Sequence, residues 1–305
     1  MFIKHLYITI NYINMSKINT QNQYILLTRL NQPIGFLLLM LPCIWGVLAA
    51  CNNINELNNN LFLIGLLMFG SVIMRSAGCI INDIFDRSYD KKVSRTVLRP
   101  LAKGTISVLD AFICFIFLSL LGLSILLSLD KLSIIIGLIS FMLLLIYPLM
   151  KRITYWPQLV LGITFNIGVL ISFSAITGTV NLSIIFLYFA GIFWTLGYDT
   201  IYAHQDKEDD LRIGVKSTAI LFGANSKKII SLFYSLMFAC LCLYGIKAGN
   251  NTYYFISLFF VAGHLFNQIR VLNINNQDLC LSIFKSNQYL GIIVCLSLLL
   301  NFLLI

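Results

Sequence analysis

Nine apolar stretches divide this chain, each about 17–24 residues long and so long enough to cross a bilayer as a helix. They lie near 33–50, 61–81, 106–129, 132–149, 157–177, 182–198, 229–246, 252–269 and 289–305. Runs of this length and apolarity fit membrane-spanning helices. The expected fold is therefore all-α: a polytopic membrane bundle of nine transmembrane helices. With 59% hydrophobic residues, 11% charged residues and a mean hydropathy of +0.87, no polar region is left that is long enough for a soluble domain. The chain reads as a short N-terminal arm, 1–28, and one membrane domain, 29–305. The arm contains no Arg and no apolar signal core, which speaks against a transit or signal peptide.

Positive charge sets the orientation. Of the 21 Lys and Arg, 18 fall on the N-terminal arm and on every second loop, only Lys131 and Lys247 fall on the opposite loops, and Arg75 lies inside the second span. The arm and the basic loops are thus expected to be cytoplasmic, as in a multi-pass protein of a bacterial inner membrane. The net charge of +9 is accounted for by topology and by attraction to anionic lipid. No basic-aromatic pattern of a nucleic-acid module is present. The eight cysteines form no C-x-x-C pair and read as small packing residues, and His264 reads as a packed or helix-bonded residue.

Eight of the 12 acidic residues fall in two stretches, Asn82–Asp90 and Asp199–Asp210, each at the cytoplasmic end of a span. Carboxylates beside hydrocarbon are costly, so this concentration marks a site. On a helix, Asn82, Asp86 and Asp90 form one row at spacing four and four, with Arg75 two turns deeper on the same face. Asp199, Asp206 and Asp210 form a second row at spacing seven and four, and Tyr202 is four before Asp206. Facing each other, the rows would enclose a central cavity open to the cytoplasmic side. Mg²⁺ favours a few carboxylates plus water and substrate phosphate, so the rows suit two Mg²⁺ ions with a diphosphate between them. Arg75, Arg95, Lys151 and Arg152 are candidates for the remaining phosphate charge. Any single Asp is equally well a helix-end charge; both rows together are not. Tyr147 and Lys151 share a face, which an interfacial Tyr with a snorkelling Lys also explains. Of the intramembrane aromatics Trp45, Phe165, Phe173 and Trp194, most are expected to pack, and a few to line a lipid-tail groove.

These motifs carry a resemblance. Asn82-Asp83-x-x-Asp86-x-x-x-Asp90 and Asp206-x-x-x-Asp210 resemble the two Asp-rich motifs of the UbiA-type intramembrane prenyltransferases, and Tyr147-x-x-x-Lys151 resembles their Tyr/Lys motif. Longer stretches, 74–104, 147–166 and 198–223, are similar to the members that act on 4-hydroxybenzoate. The resemblance begins near Thr28 and covers nearly all of the membrane part.

It implies a nine-helix bundle with a lateral opening to lipid and Mg²⁺-dependent transfer of a polyprenyl chain. The donor would be a polyprenyl diphosphate. The acceptor would be 4-hydroxybenzoate, prenylated ortho to its hydroxyl in ubiquinone synthesis. On that reading Asn82, Asp83, Asp86, Asp90, Asp206 and Asp210 form the metal set. Asp86, Asp90, Asp206, Asp210, Tyr147 and Lys151 serve catalysis. Arg29, Arg75, Asn82, Arg95, Arg152, Asp199 and Tyr202 contact substrate, with Arg29 and Arg75 suited to either the acceptor carboxylate or phosphate. The other partner is the bilayer itself, and no protein partner follows from the sequence. A transporter would place its acids at the midplane of broken helices. A CDP-alcohol phosphotransferase would need an Asp-Gly…Ala-Arg run, which is absent.

Overall fold

The computed structural model describes residues 22–303. Most of the expected N-terminal arm, with Lys4 and Lys17, lies outside the described residues, as does Ile305. The described residues form helices and turns, with no strand among them. A helical segment over 22–28 precedes α1 (Ile34–Ala50), α2 (Leu61–Asp90), α3 (Val108–Leu126), α4 (Lys131–Ile153), α5 (Pro157–Asn166), α6 (Gly168–Thr177), α7 (Leu182–Ala203), α8 (Ser226–Ala248), α9 (Thr252–Val271) and α10 (Gln277–Leu303).

Among the described residues every predicted apolar segment forms a helix over most of its length, α5 and α6 sharing the fifth. Among the described residues seven helical segments qualify as crossings by length and composition; Ile34–Ala50 is a shorter apolar helix of 17 residues, and Thr252–Val271 is not among the seven. Helix starts follow local rules. Asn181, Ser107, Asp130 and Asn251 each accept a backbone N–H from the first turn of α7, α3, α4 and α9. Each such cap is worth about 1 kcal/mol.

Burial separates a core from a lipid-facing belt. α7 is buried on most of its surface and packs chiefly on α8 and α5. Trp194 of α7 stacks on Trp45 of α1 with centroids 5.1 Å apart, and their indole N–H groups donate to Asn287 Oδ1 and Gly291 O of α10. Three distant helices are thereby locked together. α3, by contrast, buries only Ala111 and Phe115, and exposes Leu109, Ile113, Phe117 and Leu120. An apolar helix so exposed is stable only with lipid around it.

Gly162, Gly168 and Gly191 sit at close helix approaches, whereas Gly65 faces open space and Gly70 and Gly78 make ordinary contacts. The tightest approaches include Gly46, where a Cβ would overlap Val169 O, and Gly197, where it would overlap the Tyr234 ring. His264 does bond within the bundle, its Nε2 3.0 Å from Gln268 Nε2, and all eight cysteines are free.

Candidate active site

One cavity of about 780 Å³ runs from the basic-loop end of the bundle between α2, α4, α5 and α7 into the apolar interior. At its mouth α2 continues past the apolar segment to Asp90, so Asn82, Asp86 and Asp90 keep helical spacing and all three line the wall. Arg29, Arg75, Arg95, Tyr147, Lys151, Asp199, Tyr202, Asp206 and Asp210 line it too.

Two expected site residues do not. Asp83 and Arg152 are each one residue beyond a lining residue, hence turned about 100° around the helix. Asp83, expected in the metal set, is 1% exposed and faces two arginines instead: Arg29 Nη2 donates to its Oδ1 at 2.5 Å and Arg99 Nη1 at 3.1 Å. Arg152 lies on the outer rim, donating to Phe85 O at 2.6 Å and covering the Tyr89 ring at 5.0 Å.

The second acidic row also differs from expectation. α7 ends at Ala203, and Asp206, with φ −106° and ψ 4°, immediately precedes a separate short helix, Lys207–Ile213, without a side-chain capping bond. Asp199, Asp206 and Asp210 therefore share the cavity without sharing one helix face. α5 also lines the cavity, through Gln158, Leu161, Thr164 and Phe165.

Most mouth carboxylates are held by cations from other segments. Lys151 Nζ donates to Asp86 Oδ2, and Arg99 Nη1 reaches both oxygens of Asp90 at 3.0 Å. Arg95 forks onto Asp206, its Nε 2.8 Å from Oδ1, while its Nη1 donates to the Tyr202 hydroxyl at 2.8 Å. Ser94 N donates to Asp209 at 3.4 Å. The loop after α2 is thus clasped to the loop after α7 across the mouth.

Arg99, absent from the sequence-derived site, links Asp83 to Asp90. The signal for it was faint: a basic residue nine positions after Asp90, just before the proline that starts the short helix Pro100–Lys103. Arg29 holds its place at a left-handed φ of 55°, unusual outside glycine, at the end of the 22–28 helix. Burial and the neighbouring Asp206 push the Asp210 carboxyl up to about 7, against the pull of Lys151 and Arg95.

Deeper in, Arg75 spreads over the Phe165 ring at 5.5 Å, and its buried Nε has no protein partner. No carboxylate lies within ion-pair distance of it among the described residues, which leaves it a cation facing the cavity. Trp45, Trp194 and Phe173 are core residues, so of the four aromatics singled out only Phe165 reaches the cavity.

The oxygen-only donor set fits Mg²⁺. Asp86 Oδ1 and Asp83 Oδ2 are both buried with no hydrogen-bond partner, Asp86 Oδ1 lying 3.8 Å from Arg152 Nη2; of the two residues only Asp86 lines the cavity, where a further ligand could share its oxygen. No group of three acidic, His or Cys residues among the described residues is placed to hold an ion, so a bound Mg²⁺ would need water and substrate phosphate among its ligands.

The UbiA prenyltransferase family profile matches residues 39–293. The chain is 47% identical over 279 residues to a mitochondrial 4-hydroxybenzoate polyprenyltransferase of Bos taurus, covering 91% of this chain and 75% of that one. Its fold matches a UbiA homolog from Aeropyrum pernix K1 with a TM-score of 0.73 at 22% identity, covering 87% of this chain and 97% of that one. It also matches a UbiA homolog from Archaeoglobus fulgidus bound to GPP and Mg²⁺, with a TM-score of 0.70 at 18% identity over 90% of this chain and 99% of that one. The bovine relative is mitochondrial, so the expected bacterial inner membrane gains no support from it. A multi-pass membrane fold, a matching profile over most of the chain and a relative at this identity agree, and the chain belongs to the UbiA prenyltransferase family.

Proposed function

We propose that this chain transfers a polyprenyl group from polyprenyl diphosphate to the ring carbon of 4-hydroxybenzoate ortho to the hydroxyl, with Mg²⁺ as cofactor, in ubiquinone synthesis. One observation carries the reading. A single cavity joins a carboxylate mouth to a cationic, aromatic middle at Arg75 and Phe165 and then to an apolar wall. That order matches the diphosphate, the acidic ring and the prenyl tail. The names of the bovine relative and of the GPP-bound archaeal homolog support it.

Asn82, Asp86, Asp90, Asp206 and Asp210 would hold Mg²⁺, while Asp83 anchors Arg29 and Arg99 behind them. When bound, Mg²⁺ supplies positive charge that stabilises the departing diphosphate. Diphosphate entry draws Lys151 and Arg95 off Asp86 and Asp206, and both cations then neutralise the leaving group, with the Tyr147 hydroxyl donating beside them. Leu120, Leu123, Leu126, Leu138 and Leu161 line the wall and keep water from the allylic cation. The ring, oriented by Arg75 through its carboxylate, attacks that cation. Asp199, one turn inside the end of α7, takes the ring proton and restores aromaticity. The site faces the side with the Lys and Arg excess, the cytoplasm in a bacterial inner membrane.

The test is an assay of membranes containing the chain, with labelled polyprenyl diphosphate and a panel of acceptors. Labelled product is expected with 4-hydroxybenzoate and Mg²⁺, and none with EDTA. Product from a naphthoate but not from 4-hydroxybenzoate would overturn the acceptor, and full turnover without metal would overturn the metal site.

A further inference from the structure

Behind the Arg75 pocket, a chain of buried hydrogen bonds runs from α5 to the cavity wall. Asn166, the last residue of α5, is 1% exposed. Its Nδ2 lies 2.8 Å from Gly162 O and 2.8 Å from Thr195 Oγ1. A carbonyl oxygen only accepts, so this amide atom is the nitrogen, and its two protons go to Gly162 O and to Thr195. Thr195 Oγ1, already accepting, turns its own proton to the Tyr198 hydroxyl at 3.1 Å. The Tyr198 oxygen therefore accepts from Thr195. Its own proton has no acceptor among the described residues.

The side chains that fix this direction cannot shift easily. Thr195 is fully buried and Tyr198 is 1% exposed. Trp194 and Phe284 meet the Tyr198 ring edge-on at 5.2 and 5.7 Å. Asn166 is wedged against α7 at Gly191, where a Cβ would overlap its Oδ1. Yet Tyr198 lines the cavity beside Asp199, in the same chamber as Arg75. A buried hydroxyl that has surrendered its accepting side and keeps a spare proton is a built donor, and leaving such a donor unmatched is costly.

We infer that the Asn166–Thr195–Tyr198 relay presents the Tyr198 hydroxyl as a hydrogen-bond donor to the carboxylate of the aromatic acceptor, beside Arg75. The inference rests on the transferase reading of this cavity and adds a specificity-determining residue to it. The carboxylate is the better partner on chemical grounds. Donation to the phenolic oxygen would withdraw electron density from the ring that must attack the allylic cation, whereas donation to the carboxylate orients the ring without that cost. Tyr198 contacts the substrate, while Asn166 and Thr195 are positioning residues that set its polarity.

The experiment is direct binding of 4-hydroxybenzoate, benzoate and phenol to the purified full chain by calorimetry, followed by the acceptor and donor KM values. Tyr198→Phe, which keeps the ring packing, is expected to weaken 4-hydroxybenzoate and benzoate about tenfold and leave phenol and the donor KM unchanged. Thr195→Val frees the Tyr198 hydroxyl to turn and should weaken the same two ligands by about threefold or more, and Thr195→Ser should restore them. Unchanged benzoate binding in Tyr198→Phe overturns the proposal, as does an equal loss for phenol or equal affinities in Thr195→Val and Thr195→Ser. If the wild type binds benzoate but prenylates no hydroxybenzoate, the transferase reading fails while the Tyr198 donor is still measured. If the wild type binds no aromatic carboxylate at all, the donor proposal fails.

Discussion

Replacing Asp83 by Asn changes one charge and almost no volume at a fully buried ionic position beside the mouth. Asp83 is 1% exposed and its Oδ1 takes bonds from Arg29 at 2.5 Å and Arg99 at 3.1 Å. The amide carbonyl that this substitution introduces can still accept both bonds, while its NH2 takes the buried place of Oδ2, which has no partner; the loss is therefore at least the difference between charge-assisted and neutral hydrogen bonds. That difference is about 1–1.5 kcal/mol per bond, or about 2–3 kcal/mol for two. Both arginines are 20% exposed, so solvent partly compensates them, and Arg99 keeps Asp90. The expected loss of folding stability is thus at least about 2 kcal/mol. Unfolding of the purified protein in detergent, followed by tryptophan fluorescence, measures it. Turnover at a temperature where both proteins are folded should fall only modestly, because Asp83 does not line the cavity. If Asp83→Asn were as stable as the wild type and yet inactive, Asp83 would act on metal or substrate directly, and the anchoring argument would be refuted.

Asp86→Ala and Asp206→Ala should each lower turnover by roughly two to four orders of magnitude, the scale of losing a principal electrostatic contact to the transition state; near-normal rates in either purified variant would remove that residue from the metal set. The raised Asp210 pKa of about 7 predicts that Mg²⁺ affinity, measured by calorimetry with a diphosphate analogue, rises as pH goes from about 5 to 7 and levels off above it. The same shift runs the other way for stability: the folded state holds the Asp210 proton more tightly than the unfolded chain does, so its contribution is present below about pH 4 and is lost as pH rises through 7. Asp210→Asn should flatten both profiles. Arg75→Ala should raise the acceptor KM about tenfold or more and leave the donor KM nearly unchanged; the reverse pattern would assign Arg75 to the diphosphate.

Much of the fold was legible because its determinants are local. About twenty apolar residues in a row need lipid or a core, and among the described residues each predicted segment is helical over most of its length. Helix ends were less legible. α2 runs on to Asp90, and α10 begins at Gln277 rather than near 289. Hydropathy registers a helix only along its apolar residues, and these turns are polar. The break after Asn166 and the turn before Asp206 had no clear hydropathy signature either, and the second of them dissolved the expected single row of Asp199, Asp206 and Asp210.

The sequence by itself determined the class of the molecule, the side on which its charges gather, and the chemical types that meet there. Apolar length, positive charge and carboxylate spacing each act within one segment, and a chain read in order contains them. The tertiary structure alone decided which cation holds which acid, that Arg99 joins Asp83 to Asp90, and that Asp83 turns away from the cavity. It alone decided that Asn166 sets the direction of the Tyr198 proton. Arg29 meets Asp83 across 54 positions and Lys151 meets Asp86 across 65, and such pairings depend on how helices pack and rotate against one another. That information lies in the shapes of facing surfaces, such as the close approaches at Gly46 and Gly197, and no spacing along a single helix encodes it.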